Sequence, residues 1–261
     1  YDKIEFVNEV SGRDPRLAQT IRTTKGLNFS NCITGYQPHK YIVEANLGSS
    51  AASYNDLPLF RMAEVYLNYA EAKAELGEIT QGDLDISVNK IRARAKMPNL
   101  NLKAANDSPD PYLSSAETGY ANVTGANKGV ILEIRRERNI ELVLESQNRW
   151  WDLMRWKEGA CIGQKMEGLY IPADKRGKAY DVNGDGNADI CVYSGTQPSV
   201  KENVTWFNLD TDYKLSEKGS GKIVFFSDIV RKWNEERDYF YPIPKEDIIL
   251  TGGKIEQNKG W

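Results

Sequence analysis

The chain has 261 residues, with 34 Lys and Arg against 37 Asp and Glu, one His and three Cys. Its hydrophobic (40%) and aromatic (10%) content excludes global disorder, and a net charge of −3 leaves no basic footprint for sequence-independent nucleic-acid binding. The apolar runs are far too short for a transmembrane helix.

His39 stands alone, which excludes a multi-His metal site. Cys32, Cys161 and Cys191 are widely spaced and form no CxxC pair, so neither a zinc knuckle nor a thioredoxin-type site is expected. They read as buried or semi-buried thiols; spacing leaves a Cys161–Cys191 disulfide open. There is no GxSxG elbow and no GxxxxGK[ST] or GxGxxG phosphate loop. Tyr1-Asp2-Lys3-Ile4 is not an initiator Met, a signal peptide or a lipidation site. The chain is therefore expected to be a processed or truncated product.

Residues 1–58 are mixed. Arg13-Asp14-Pro15-Arg16-Leu17 reads as a turn into a short extended or helical segment, and Gly, Asn, Ser and Pro punctuate Gly26 to Ser53, which reads as loops with short strands. Residues 59–76 predict the strongest helix, because Leu59, Met62, Ala63, Tyr66, Tyr69, Ala70 and Ala74 follow the helical period. Asn55 or Asp56 would cap it before Pro58, and Gly77 would end it as a left-handed cap. Leu84, Val88, Ile91 and Ala95 predict a second helix from about Gly82 to Ala95, stopped by Pro98. The short link implies an antiparallel pair, and two helices around a Gly turn resemble a tetratricopeptide unit.

Residues 99–128 read as a long loop. Residues 129–145 predict a helix, and 149–157 a second short one after the Ser146-Gln147-Asn148 break. Glu133, Glu137 and Glu141 interleave with Arg135, Arg136 and Arg138, which reads as a buried or surface ion network. In Arg149-Trp150-Trp151-Asp152-Leu153-Met154-Arg155-Trp156, the i, i+3, i+4 spacing of Trp150, Leu153 and Met154 reads as core, although aromatic faces also stack on sugars. Residues 159–228 are loop-rich, with strand-like pieces at Ile190–Tyr193 and Ile223–Phe226. Residues 229–238 read as a last helix, and Tyr241-Pro242-Ile243-Pro244 must be extended.

Asp181-Val182-Asn183-Gly184-Asp185-Gly186-Asn187-Ala188-Asp189 is the sharpest local motif. Oxygen-bearing side chains occupy loop positions 1, 3, 5 and 9, with Gly at position 6, as in the first part of an EF-hand loop. Asp181, Asn183, Asp185 and Asp189, with the backbone carbonyl of Asn187, would hold Ca²⁺ in a structural role. Position 12 is Val192 rather than Glu, which departs from the EF-hand. The competing reading is an Asx-rich turn whose side chains bond their own backbone. Tyr112, Tyr120, Tyr170, Tyr193, Trp206 and Phe207 lie in loop-rich stretches. Trp206, Tyr193, Tyr170 and Tyr120 are the candidate ligand-binding aromatics; each also reads as a loop anchor.

Four segments together resemble the SusD/RagB family of outer-membrane nutrient-binding lipoproteins. They are Arg61-Met62-Ala63-Glu64-Val65-Tyr66-Leu67-Asn68-Tyr69-Ala70-Glu71-Ala72; Glu133-Ile134-Arg135-Arg136-Glu137-Arg138-Asn139-Ile140-Glu141-Leu142 running into residues 149–156; Tyr241-Pro242-Ile243-Pro244; and Gln257-Asn258-Lys259-Gly260-Trp261. Arg13-Asp14-Pro15-Arg16 also fits. The resemblance implies a mainly α fold of tetratricopeptide-like helix pairs (about 59–96 and 129–158), with long irregular loops and a few short strands. Residues 159–228 would be a loop-rich insertion and 229–261 a terminal segment. It also implies that residues 1–261 are the carboxyl-terminal region of such a protein, with the lipid anchor outside this chain. The implied function is non-catalytic binding of oligosaccharide at the outer-membrane surface, for delivery to a SusC-type TonB-dependent transporter. A peptide-binding member of the same system, and a tetratricopeptide-like interaction scaffold with no small ligand, are the alternatives. A glycoside hydrolase would need two carboxylates about 5–10 Å apart in a cleft.

Overall fold

The computed structural model describes the chain except residues 1–2, 25–26, 28, 30–31, 33, 42–53, 57 and 146–147. Much of the predicted loop from Gly26 to Ser53, and Ser146-Gln147 of the predicted break, lie outside the described residues. The fold is mainly α, with short strands and long irregular connections. The chain divides into two compact units.

The first unit comprises residues 1–60, 94–97 and 165–229. It begins with two single-turn helices, α1 (Phe6–Glu9) and α2 (Leu17–Thr20). Between them Asp14 holds Arg16 in a fork: Nε donates to Oδ1 at 3.0 Å and Nη2 to Oδ2 at 2.7 Å. The unit also holds two small sheets. Strands β1 (Met166–Ile171), β4 (Lys214–Glu217) and β5 (Ser220–Phe225) form an antiparallel sheet in the order β1-β5-β4. Strands β2 (Ile190–Tyr193) and β3 (Thr205–Asn208) pair in parallel, with Cys191 opposite Trp206 and Tyr193 opposite Asn208. Side chains alternate across a strand, so Ile190, Val192 and Phe207 enter the core with Phe6, Leu169, Ile171, Tyr180, Val182 and Ile223.

The second unit comprises residues 61–93, 98–164 and 230–261. Its first helix, α3 (Met62–Glu75), carries Leu67, Ala70 and Ala74 on the buried face. The helix starts later than the periodicity predicts. Leu59 and Phe60 are exposed outside it, and Arg61 occupies the cap position instead of Asn55 or Asp56. Gly77 ends it as expected, at φ 76°. Glu78 N–H donates to the Lys73 carbonyl and Gly77 N–H to that of Ala74, the paired bonds of a left-handed cap.

The single helix expected over 82–95 is two: α4 (Gln81–Ile86) and α5 (Val88–Arg94). Thr80 and Asp83 form a reciprocal capping box at the start of α4. Ser87, at φ −127° and ψ −97°, interrupts the helix, and its hydroxyl bonds the Asp83 carbonyl. Buried Asn89 then clamps the chain beyond α5: its Oδ1 accepts from Leu100 N–H at 2.6 Å and its Nδ2 donates to the Leu100 carbonyl at 3.1 Å.

The long loop predicted over 99–128 contains two short helices, α6 (Leu102–Asp107) and α7 (Pro111–Ser114), capped by Asn101 and Asp110. Helix α8 (Lys128–Glu141) is the spine of the unit and packs on α3, α6 and α7. A β-carbon at Gly129 would lie 1.8 Å from the Ala105 carbonyl oxygen, so the α6–α8 approach depends on glycine there. Helix α9 (Asn148–Arg155) follows. Leu153 is buried and Met154 packs on the core, as the spacing predicts. The helix expected over 229–238 is absent. Asn234 N–H bonds Asp238 Oδ2 at 2.7 Å and Glu236 N–H bonds Asn234 Oδ1 at 3.0 Å, so side chains satisfy the amides a helix would use. The last helix is α10 (Lys245–Leu250).

The terminal motifs fasten one another. Gln257 grips the proline-flanked Ile243 at both ends of its amide, accepting from Ile243 N–H at 2.8 Å and donating to its carbonyl at 2.9 Å. Asn258 donates to the Tyr241 carbonyl and the Trp261 indole to that of Phe240, while Arg237 lies 4.8 Å over the Trp261 ring.

Candidate functional site

The loop 181–189 is closed at its base by an antiparallel bridge between Tyr180 and Ile190. Tyr180 N–H donates to the Ile190 carbonyl at 2.8 Å, and Asp189 N–H to that of Tyr180 at 2.9 Å. Val182 is buried and anchors the loop, and Asn183 Nδ2 donates to the Thr24 carbonyl at 3.1 Å. Inside, Asp181 Oδ1 accepts from Gly184 N–H at 2.7 Å and Oδ2 from Gly186 N–H at 2.8 Å. Asn183 Oδ1 accepts from Asp185 N–H at 2.9 Å, and Asp185 Oδ1 from Asn187 N–H at 2.9 Å. Gly184 and Gly186 sit at φ 75° and 89°, which permits the tight winding. Asp189 Oδ2 accepts from Val182 N–H at 2.9 Å. Burial, and then the nearby Asp181 and Asp185 charges, push the Asp189 carboxyl above its ordinary range. The carboxylates are thus gathered on one short loop and aimed largely at its own amides. Among the described residues, no three Asp, Glu, Cys or His side chains converge as a metal-holding group.

The predicted aromatics separate. Tyr193 and Trp206 come together on the face of the β2–β3 pair opposite Val192 and Phe207. They are half-buried, with ring centroids 5.8 Å apart at 87°, and cover buried Cys191. Tyr170 lies on β1 opposite Lys222, and no ring contact among the described residues joins it to that pair. Tyr120 is a correction: it belongs to the core of the second unit, at 4% exposure, edge-on to Trp156 at 5.5 Å. Its hydroxyl accepts from Arg149 at 2.7 Å, and the Arg149 and Arg135 guanidiniums lie 5.3 and 5.5 Å from its ring centroid. Its ring is committed to protein contacts. Phe207 is likewise buried, while Tyr112 is exposed. The strand expected through Phe226 stops at Phe225; Phe226 turns out at φ 52° and is 64% exposed, a position that strand patterning hides. Cys161 and Cys191 are free thiols, and Cys32 is free as well.

The Arg/Glu pattern is a network in the second unit. Arg138 bonds Asp152 at 2.6 Å and Asn68 at 2.7 Å; Arg61 bonds Glu141 and Glu145, each at 2.6 Å; Arg92 bonds Glu137 at 2.9 Å. Glu71, only 5% exposed, accepts from Arg155 Nη2 at 2.7 Å and from the Trp156 indole at 2.6 Å. Burial pushes the Glu71 carboxyl up, but the bonds from Arg155 and Trp156 outweigh it and the net direction is down. Arg135 lies 4.4 Å over the Trp156 ring and pairs with Glu158 at 3.3 Å. Each carboxylate faces a cation, an arrangement suited to holding helices rather than to proton transfer.

The sequence model of the SusD family matches residues 2–261, so the chain belongs to the SusD family. Among solved structures, a SusD-like carbohydrate binding protein from Bacteroides fragilis is similar at 23% identity with a TM-score of 0.56. The match covers 94% of this chain and 42% of that one, so this chain spans less than half of that relative. It shows a shared fold. No curated protein matches.

Proposed function

We propose that this protein is a non-catalytic binding component of nutrient uptake at the outer-membrane surface, taking oligosaccharide and delivering it to a SusC-type TonB-dependent transporter. Family membership over residues 2–261 carries this reading. The Tyr193–Trp206 pair supports a saccharide as the ligand, because half-buried rings offer faces to sugar C–H groups. The similarity to the SusD-like carbohydrate binding protein from Bacteroides fragilis points the same way. Titration calorimetry of the chain against a panel of oligosaccharides tests the reading. Binding is expected, weakened about tenfold by Trp206→Ala, the size of one lost aromatic contact. Failure to bind any member of the panel, or unaltered affinity in the variant, overturns it. Binding of peptides in place of sugars would select the peptide-binding alternative.

Within the same protein, loop 181–189 would take Ca²⁺ in a structural role, through Asp181, Asn183, Asp185, Asp189 and the Asn187 carbonyl. The like-charge crowding around Asp189 supports this. Limited proteolysis with and without chelator tests it: cleavage within 178–192 is expected to rise on chelation, and an unchanged pattern rejects the ion.

A further inference from the structure

The face of the β2–β3 pair that carries Tyr193 and Trp206 carries a further side chain. Alternation along β3 puts Asn208 on the same face as Trp206, and the parallel register sets it opposite Tyr193. Asn208 is held by the turn that follows it: its carbonyl accepts from Asp212 N–H at 2.8 Å, and its Oδ1 accepts from Asp210 N–H at 2.9 Å. Among the described residues its Nδ2 meets no acceptor, and that nitrogen is open to solvent. Asp210 links the ends of the two strands, because its Oδ2 accepts from Gly195 N–H at 2.6 Å, two residues past Tyr193. Asp212 accepts from Asn208 N–H at 3.0 Å and from the Thr211 hydroxyl at 2.9 Å. Asp210 and Asp212 are exposed, and among the described residues neither pairs with a cation. Arg176 brings one positive charge to this end of β2 through its bond to the Ser194 hydroxyl, and the two carboxylates outweigh it.

Two perpendicular rings, a fixed amide donor and a carboxylate with a spare oxygen match the parts of an uncharged sugar. The rings take C–H faces, the amide gives a hydrogen bond to a hydroxyl oxygen, and the carboxylate accepts one from a hydroxyl. An anionic sugar in the same place meets charge of its own sign. We propose that this face selects neutral saccharides over uronates and sulfated sugars, with Asn208 Nδ2 as the donor and Asp210 as the acceptor beside it. The proposal rests on the saccharide-binding reading above and names its substrate class.

Calorimetry on the full chain with a neutral trisaccharide and a uronate trisaccharide of the same linkage tests it. Wild type is expected to bind the neutral probe more tightly, and the difference should shrink as salt rises. Asn208→Ala should bind the neutral probe about tenfold more weakly, the scale of one hydrogen bond lost. Should that variant melt early, Asn208→Ser, whose hydroxyl still accepts from Asp210 N–H, makes the same comparison. Asp210→Asn keeps an oxygen for Gly195 N–H and removes the charge, so it should narrow the preference by binding the uronate probe more tightly. Equal affinity for the two probes, tighter binding of the uronate, unchanged neutral affinity in the Asn208 variants or an unmoved preference in Asp210→Asn overturns the selection while leaving saccharide binding intact. Binding of neither probe overturns both.

Discussion

The buried network of the helical unit and the 181–189 loop of the strand unit use their charged and amide side chains differently. In the helical unit they reach across the fold: Arg61 to Glu145 spans 84 residues of sequence, Arg155 to Glu71 another 84, and Arg92 to Glu137 45. In loop 181–189 of the strand unit they stay mostly close to home, although Asn183 Nδ2 also reaches the Thr24 carbonyl, and elsewhere in that unit Lys3 reaches Glu217. Asp181, Asn183 and Asp185 bond amides two to five residues away, as Asp14 bonds Arg16. Helix interiors satisfy their own backbone, so their side chains are free to connect one helix with another. Irregular loops leave amides without partners, and short polar side chains are drawn in to satisfy them. The first arrangement makes cooperativity; the second makes local shape.

The sharpest way to break this contrast is Glu71→Ala. It strands the Trp156 indole and one face of Arg155, and is expected to cost about 3 kcal/mol, read as a fall in the denaturant midpoint of the whole helical unit. Gly129→Ala should cost about 2 kcal/mol, because the new β-carbon meets the Ala105 backbone and the two helices must separate; melting by circular dichroism reads it directly. Acid should then narrow the gap between wild type and the Glu71 variant. The Glu71 pKa is depressed in the folded state, so its contribution is full above the ordinary value of 4.5 and is lost as pH falls through the lower folded value. A gap that stays constant down to acid unfolding would contradict the network. Asp181→Ala should be the mildest, about 1 kcal/mol, and confined to its loop. Hydrogen exchange should rise at Gly184, Asp185 and Gly186 and leave α8 unchanged; loss of protection in α8 would deny the separation of roles.

The same contrast explains what could be read from the chain. Helix α8 and the buried stripe of α3 announce themselves through periodicity, and β2 through an apolar run. Helices α6 and α7 do not, because each is a turn or two held by a cap, Asn101 or Asp110, within polar sequence. The absent helix at 229–238 and the interruption at Ser87 come from side-chain-to-backbone bonds that compete with helix and leave periodicity untouched. The family-like segments prove legible for structural reasons: Arg61, Glu71, Arg138 and Glu141 knit helices, and Gln257 grips Ile243. The candidate ligand face is harder to read. Trp206 meets Tyr193 through a parallel pairing that no local pattern specifies, and Tyr120 vanishes into the core because arginines distant in sequence gather around its ring.

The bridge between Tyr180 and Ile190 has a consequence for how such a chain can change over generations. The two ends of residues 181–189 are stitched together by hydrogen bonds at the rim of the core, so the sheet senses where the excursion begins and returns, and little of its length. Insertions at its exposed turn, residues 184–187, would lengthen the loop without shifting Val192 or Phe207. This is a point at which the chain can grow in length while keeping one scaffold, and where a reporter peptide could be spliced in with the core undisturbed.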